Sequence, residues 1–229
     1  MLRQILSGNS AKDYLIAFIL SLPVMMLSLS LHESAHGYIA HKCGDETAHN
    51  MGRITLNPLK HLDPVGFLCM MLVGFGWAKP VPVNSRNFKN HKRGIILTSL
   101  AGPVSNLILA FIFAVIFRVS FTKLMTGIMF AKDQQALIFS AIYQMIVNGI
   151  YLNIALAVFN LLPIPPLDGS KILFSCLPYK VYYKIMPYER YITMGFALLL
   201  ILGVLTPVIS WLSSKIMNLF FIILATPGF

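Results

Sequence analysis

YLIAFILSLPVMMLSLSLHESAHGYIAH, residues 14–41, decides how the rest of the chain is read. Tyr14 to Leu31 is almost wholly apolar, and the run continues into His32-Glu33-Ser34-Ala35-His36, an H-E-x-x-H motif. On a helix, residues i and i+4 share a face, so His32 and His36 can offer both imidazoles to one metal ion. Glu33 then stands beside the water that such an ion would bind, placed to take its proton. An ionisable side chain in a spanning segment is costly and marks a functional site by default. Three within five residues are hard to explain as packing. The combination points to zinc-dependent hydrolysis at a site inside a membrane.

Composition excludes a soluble globular class. The chain is 57% hydrophobic and 11% charged over 229 residues, with a mean hydropathy of +0.73. That length gives one membrane domain, residues 1–229, with a core at about 14–175 and accessory C-terminal helices at 191–225. Cys43, Cys69 and Cys176 are scattered and form no CxxC pair, so they imply a reducing face or buried thiols. The net charge of +10 does not indicate nucleic acid, because the basic residues cluster in loops between apolar runs and report membrane orientation.

The apolar runs predict the spans. The first extends from Tyr14 through the motif to about His41, too long for a cleavable signal. Val65 to Trp77 is interrupted by Gly66, Gly74 and Gly76 and falls short of the roughly 20 residues needed to cross. It reads as re-entrant or interfacial. Gly94 to Phe117 and Ala136 to Leu162 are clean spans, and Tyr191 to Thr206 and Val208 to Ala225 form a final pair broken at Pro207. The fold class is therefore an all-α polytopic membrane protein, a bundle of about five to six transmembrane helices. His41 to Arg93 holds eight Lys/Arg against Asp45, Glu46 and Asp63, and Pro163 to Arg190 holds Lys171, Lys180, Lys184 and Arg190. Between the middle spans there are only Lys123 and Lys132 beyond the boundary residue Arg118. The positive-inside rule puts the first two regions, and the chemistry that they flank, toward the cytoplasm.

A zinc site with an open catalytic position needs a third protein ligand. His41, His49, His61 and His91 lie in the basic loop and read as solvated. Asp168 stands in NLLPIPPLDG, residues 160–169, where Pro163, Pro165 and Pro166 forbid a regular helix. Irregular backbone at membrane depth is tolerated where protein buries it or where it lines a wet cavity. A carboxylate delivered there can complete a His-His-Asp site. The same residues fit a plain helix terminator with an Asp-Gly turn equally well.

H-E-x-x-H late in one span, followed by N-x-x-P-x-P-x-L-D-G after a later one, resembles the site-2 protease family of intramembrane zinc metalloproteases (peptidase family M50). Ala101-Gly102-Pro103-Val104-Ser105-Asn106 is similar to that family's A-G-P-x-x-N element. GRITLNPL at 52–59 and GWAKPVPV at 76–83 resemble its short bacterial and archaeal branch. The resemblance covers about residues 25 to 175. It implies His32, His36 and Asp168 as ligands of one zinc ion and Glu33 as the general base. It also implies Asn160 as a residue that positions substrate or stabilises the oxyanion. The implied substrates are single-span or otherwise membrane-embedded proteins, met in the lipid bilayer of a bacterial cytoplasmic membrane. No insertion is long enough for a PDZ domain, a departure from many relatives that leaves the rule of substrate selection open.

In that family, segments comparable to Gly52–Leu56 and Lys79–Val83 form a small membrane-associated sheet. A β-hairpin or re-entrant element is therefore expected, one edge of which could pair with unwound substrate; an ordinary amphipathic loop fits the composition as well. Gly102-Pro103 and Asn106 read as structural, with close helix approach at the glycine and Asn106 bonded inside the bundle. Two other readings compete. In one, His32, Glu33, His36 and Asp168 bind a transported metal ion, but no second copy of the broken segments supports it. In the other, the chain is a non-catalytic scaffold, against which the intact ligands and base argue.

Overall fold

The computed structural model describes residues 11–73 and 76–225; Gly74, one of the expected interruptions of the short apolar run, lies outside the described residues. Helix α1 (Ala11–Cys43) carries the H-E-x-x-H motif and is followed by the one-turn α2 (Thr47–Asn50) and the ten-residue α3 (Pro64–Val73). Two long helices come next, α4 (His91–Phe130) and α5 (Asp133–Asn160). The shorter α6 (Asp168–Cys176), α7 (Tyr179–Ile185) and α8 (Glu189–Ile201) lead to α9 (Thr206–Ala225).

Four helices among the described residues, α1, α4, α5 and α9, are long and apolar enough to cross a membrane, fewer than the five to six that the apolar runs predict. Length makes the difference. At 1.5 Å per residue, the ten residues of α3 and the thirteen of α8 reach about 15 and 20 Å, short of a hydrocarbon core of about 30 Å. The final break also differs from the prediction. Gly203, at φ +73°, ends the helical run in the left-handed conformation that a helix terminus favours. Pro207 lies inside the first turn of α9, where its missing N–H costs nothing.

The apolar core forms where α4, α5 and α9 meet. Ala110 and Ala114 of α4 are fully buried against Ile150, Ile154 and Val158 of α5, with Met217 and Leu224 of α9 closing the cluster. Small residues one turn apart let the helix backbones approach, which is how helices associate without a hydrophobic driving force from water. Outward-facing Ile108, Ile112, Val119 and Leu137 are exposed, as suits surface in contact with lipid. Along α1 the buried Ser28 and Ser30 donate to Val24 O and Met26 O of their own helix, at 2.7 Å each, so no hydroxyl is left unpaired.

The expected β-hairpin is absent. Among the described residues the only β pairing is an isolated antiparallel bridge between Leu62 and Ala78. Pro58, Pro80 and Pro82 supply no backbone donors, and side chains occupy the groups that a ladder would use. Arg53 Nη2 donates to Lys79 O at 3.0 Å and to Pro80 O at 3.1 Å. Residues 52–56 and 79–83 thus form an irregular strap beside α1, tied by side-chain bonds.

Asp45 fixes the strap to the end of α1. Its fully buried carboxylate accepts from Thr47 N, Thr47 Oγ1, Asn87 Nδ2 and, at 2.6 Å, Asn84 N. Burial pushes the Asp45 carboxyl up, but these donors outweigh it and hold it below the usual carboxylate range. With the folded value depressed, the stabilisation is complete above the unfolded value of about 3.9 and is lost as the pH falls below it. Asp45→Ala should weaken the strap by about 1–3 kcal/mol. Faster hydrogen exchange at Asn84 and Asn87 would register this, and the wild-type chain should show the same loss on acidification below about pH 4.

Candidate metal centre

Three side chains from distant stretches of sequence converge in the interior. His32 and His36 lie one turn apart on α1, and Asp168 opens α6 directly after the proline-rich break. His32 Nε2 and His36 Nε2 are 3.1 Å apart, and Asp168 Oδ2 is 3.3 Å from the first and 3.0 Å from the second. All three residues are buried. A tetrahedral zinc ion with ligands at about 2.0–2.2 Å needs donors about 3.3 Å apart, and this near-equilateral triangle of two imidazole nitrogens and a carboxylate oxygen meets that spacing. Among the described residues, this is the only buried set of its kind. Asp168 is the first residue of α6, and its carboxylate faces the histidine pair.

Neighbouring groups hold each donor in place. His36 Nδ1 lies 2.7 Å from the Thr98 carbonyl of α4, which fixes the proton on Nδ1 and leaves Nε2 free to ligate. Lys171, three residues beyond Asp168, puts Nζ 2.9 Å from Oδ1, so one carboxylate oxygen is held while the other faces the histidines. Gly102 of α4 makes room for the pair. A Cβ there would come 2.4 Å from His36 Nε2 and 2.7 Å from His32 Nε2. Gly169 acts similarly behind Asp168, where a Cβ would fall 2.2 Å from Leu161 O.

Glu33 does not join the triangle. Its Oε2 accepts from Val81 N at 2.8 Å, so the strap holds the carboxylate in place. Beside it, Ser34 Oγ donates to Thr55 O at 2.5 Å and accepts from Thr55 N at 3.2 Å. Asn160 ends α5 with Nδ2 donating to Leu156 O at 2.9 Å, turned to its own helix rather than to the histidines. Asn106 is fully buried, yet neither amide atom has a partner, which overturns the expectation of a bonded residue inside the bundle. His32 Nδ1 and Thr98 Oγ1 are likewise buried without partners. His61, read from sequence as solvated, is buried with Nε2 2.8 Å from Thr55 O. Sequence reading missed Thr98, Val81 and Lys171. The first two act through backbone groups that leave no trace in residue type; Lys171, a turn after an aspartate on a helix, was the one with a signal.

Comparison with known proteins identifies the family of the chain. The model of the family described as Peptidase family M50 matches residues 18–202. YwhC of Bacillus subtilis is 43% identical over 194 residues, covering 85% of this chain and 84% of its own. Rip2 of Mycolicibacterium smegmatis is 30% identical over 86% of this chain and 71% of its own. MJ0611 of Methanocaldococcus jannaschii is 30% identical over 69% of this chain and 71% of its own. All three carry names that describe them as zinc metalloproteases. No solved structure matches the chain. With H-E-x-x-H at 32–36 and the proline-rich stretch at 160–169 both inside the matched region, the chain belongs to peptidase family M50.

Proposed function

We propose that this chain is an intramembrane zinc metalloprotease that hydrolyses peptide bonds within or near the transmembrane segments of membrane proteins. The observation that carries the reading is the buried His32–His36–Asp168 triangle, with Glu33 next in sequence to one ligand and long apolar helices around it. His32, His36 and Asp168 would hold one zinc ion, which when bound would supply Lewis acidity for hydrolysis. Glu33 accepts the proton of the attacking water and returns it to the leaving amine. The bond from Val81 N holds the Glu33 carboxylate in one orientation between the two transfers. Asn160 retains a second amide hydrogen beyond the one given to Leu156 O, and donating it to the developing oxyanion is its proposed part.

A spanning substrate helix hides its peptide bonds in its own hydrogen bonds, so the segment to be cut must unwind first. The proposed substrates are single-span proteins or other membrane-embedded chains. The basic loops that flank the triad support, by the positive-inside rule, a proposed position toward the cytoplasmic side of a bacterial membrane.

Detergent-purified protein should cut a single-span substrate inside its span in a zinc-dependent manner. Glu33→Gln should keep zinc and lose about 10²–10⁴-fold in cleavage rate; near-normal cleavage by that variant would remove Glu33 from the mechanism. Gly102→Ala should lower zinc affinity on the order of 10–100-fold, measured by competition with a chromophoric chelator. Unchanged affinity would mean that the Gly102 face of α4 does not confine the histidines.

A further inference from the structure

A second set of metal-ligand types lies at the end of α1, outside the buried triad. His41 Nδ1 is 2.9 Å from Glu46 Oε2, and His49 Nδ1 is 3.5 Å from the same oxygen. The two imidazoles stack, with centroids 4.8 Å apart and planes 23° from parallel. The three ligand atoms all lie within 4.8 Å of one another. From these residues we propose a second metal site, in which His41, Glu46 and His49 bind an exchangeable divalent ion of the late first transition row, zinc being the one to test.

The argument rests on spacing, scaffold and charge. Donors around a four-coordinate zinc ion stand about 3.3 Å apart, and the two measured separations straddle that value. A hydrogen bond accounts for the His41–Glu46 distance, but the His49 contact exceeds the usual N–H···O range. The backbone beneath the side chains is already ordered. Gly44 N donates to His41 O, Asp45 N to Ala40 O, Asn50 N to Glu46 O and Gly52 N to His49 O, all between 2.9 and 3.0 Å. Asp45, between two of the proposed ligands, is the fully buried anchor of the strap. A metal here would thus order only three side chains. The cation next in sequence points elsewhere, since Lys42 Nζ lies over the Tyr38 ring at 5.5 Å. Two imidazoles and one carboxylate suit zinc, copper or nickel and disfavour magnesium and calcium, which prefer oxygen ligands. His49 and Glu46 are largely exposed, at 60% and 53% of their side chains, so water can complete the coordination and the ion can exchange. Bound there, an ion would clip the end of α1 to α2, in the turn that Asp45 joins to the strap holding Glu33.

The site does not depend on the proteolytic reading, and its test separates the two centres. Full-length protein without a polyhistidine tag is dialysed in detergent against buffered zinc, and bound metal is counted by mass spectrometry. Wild type should take two equivalents, His49→Ala one, His36→Ala one, and the double variant none. Zinc should also slow hydrogen exchange across residues 44–52 in wild type and not in His49→Ala, while tenfold excess magnesium leaves both readouts unchanged. Wild type that saturates at one equivalent, lost in His36→Ala, would overturn the proposal. So would His49→Ala that still binds two.

Discussion

Everything else in this fold serves one electrostatic requirement: two imidazoles and a carboxylate must be kept together out of water. Such groups are tolerated in an apolar interior only when paired or when they coordinate a metal. The donors come from positions 32, 36 and 168, so the requirement is met by topology. The first carrier is a straight run of α1. The second is a proline-rich break that stops α5 and starts α6 at the aspartate. Between them α4 supplies the wall, with Gly102 flat against the rings and the Thr98 carbonyl on His36 Nδ1. The alanine seam of α4 with α5 and α9 keeps that wall from shifting.

The strap beside α1 shows a different economy. A sheet satisfies backbone groups with other backbone groups, whereas here side chains do so, one at a time. Arg53 takes two carbonyls, Asp45 two backbone N–H groups and Glu33 another. The residue nearest the chemistry is therefore part of the local structural bonding. The carboxylate proposed to move protons also orders the loop above it.

What could be read in the sequence followed the physics of each signal. His32, Glu33 and His36 were legible because helical periodicity puts i and i+4 on one face, and α1 runs without interruption through them. Asp168 was ambiguous from its neighbours alone, because proline and glycine mark a turn and a ligand-bearing break in the same way. It became legible through the resemblance, and it lies 3.3 and 3.0 Å from the two histidines. Spans were legible where composition and length agreed, as in α4 and α5, and misread in α8, where apolar residues run past a glycine that ends the helix. His61 was misread because a charged neighbourhood in sequence says little about burial once the loop folds back. The resemblance suggested a strand at 79–83, but the prolines and the demands of Arg53 and Glu33 decided the backbone's partners.

The position of the triad along α4 has a consequence for how it can be reached. Residues 91–102 lie on one side of the contact with the histidines and residues 103–130 on the other, lengths of about 17 and 42 Å at helical rise. The longer arm alone exceeds the roughly 30 Å of a hydrocarbon core. The triad therefore lies off-centre along α4, nearer its His91 end than its Phe130 end. An ion bound between the three donors would meet unequal routes along α4, the shorter one starting from the His91 end.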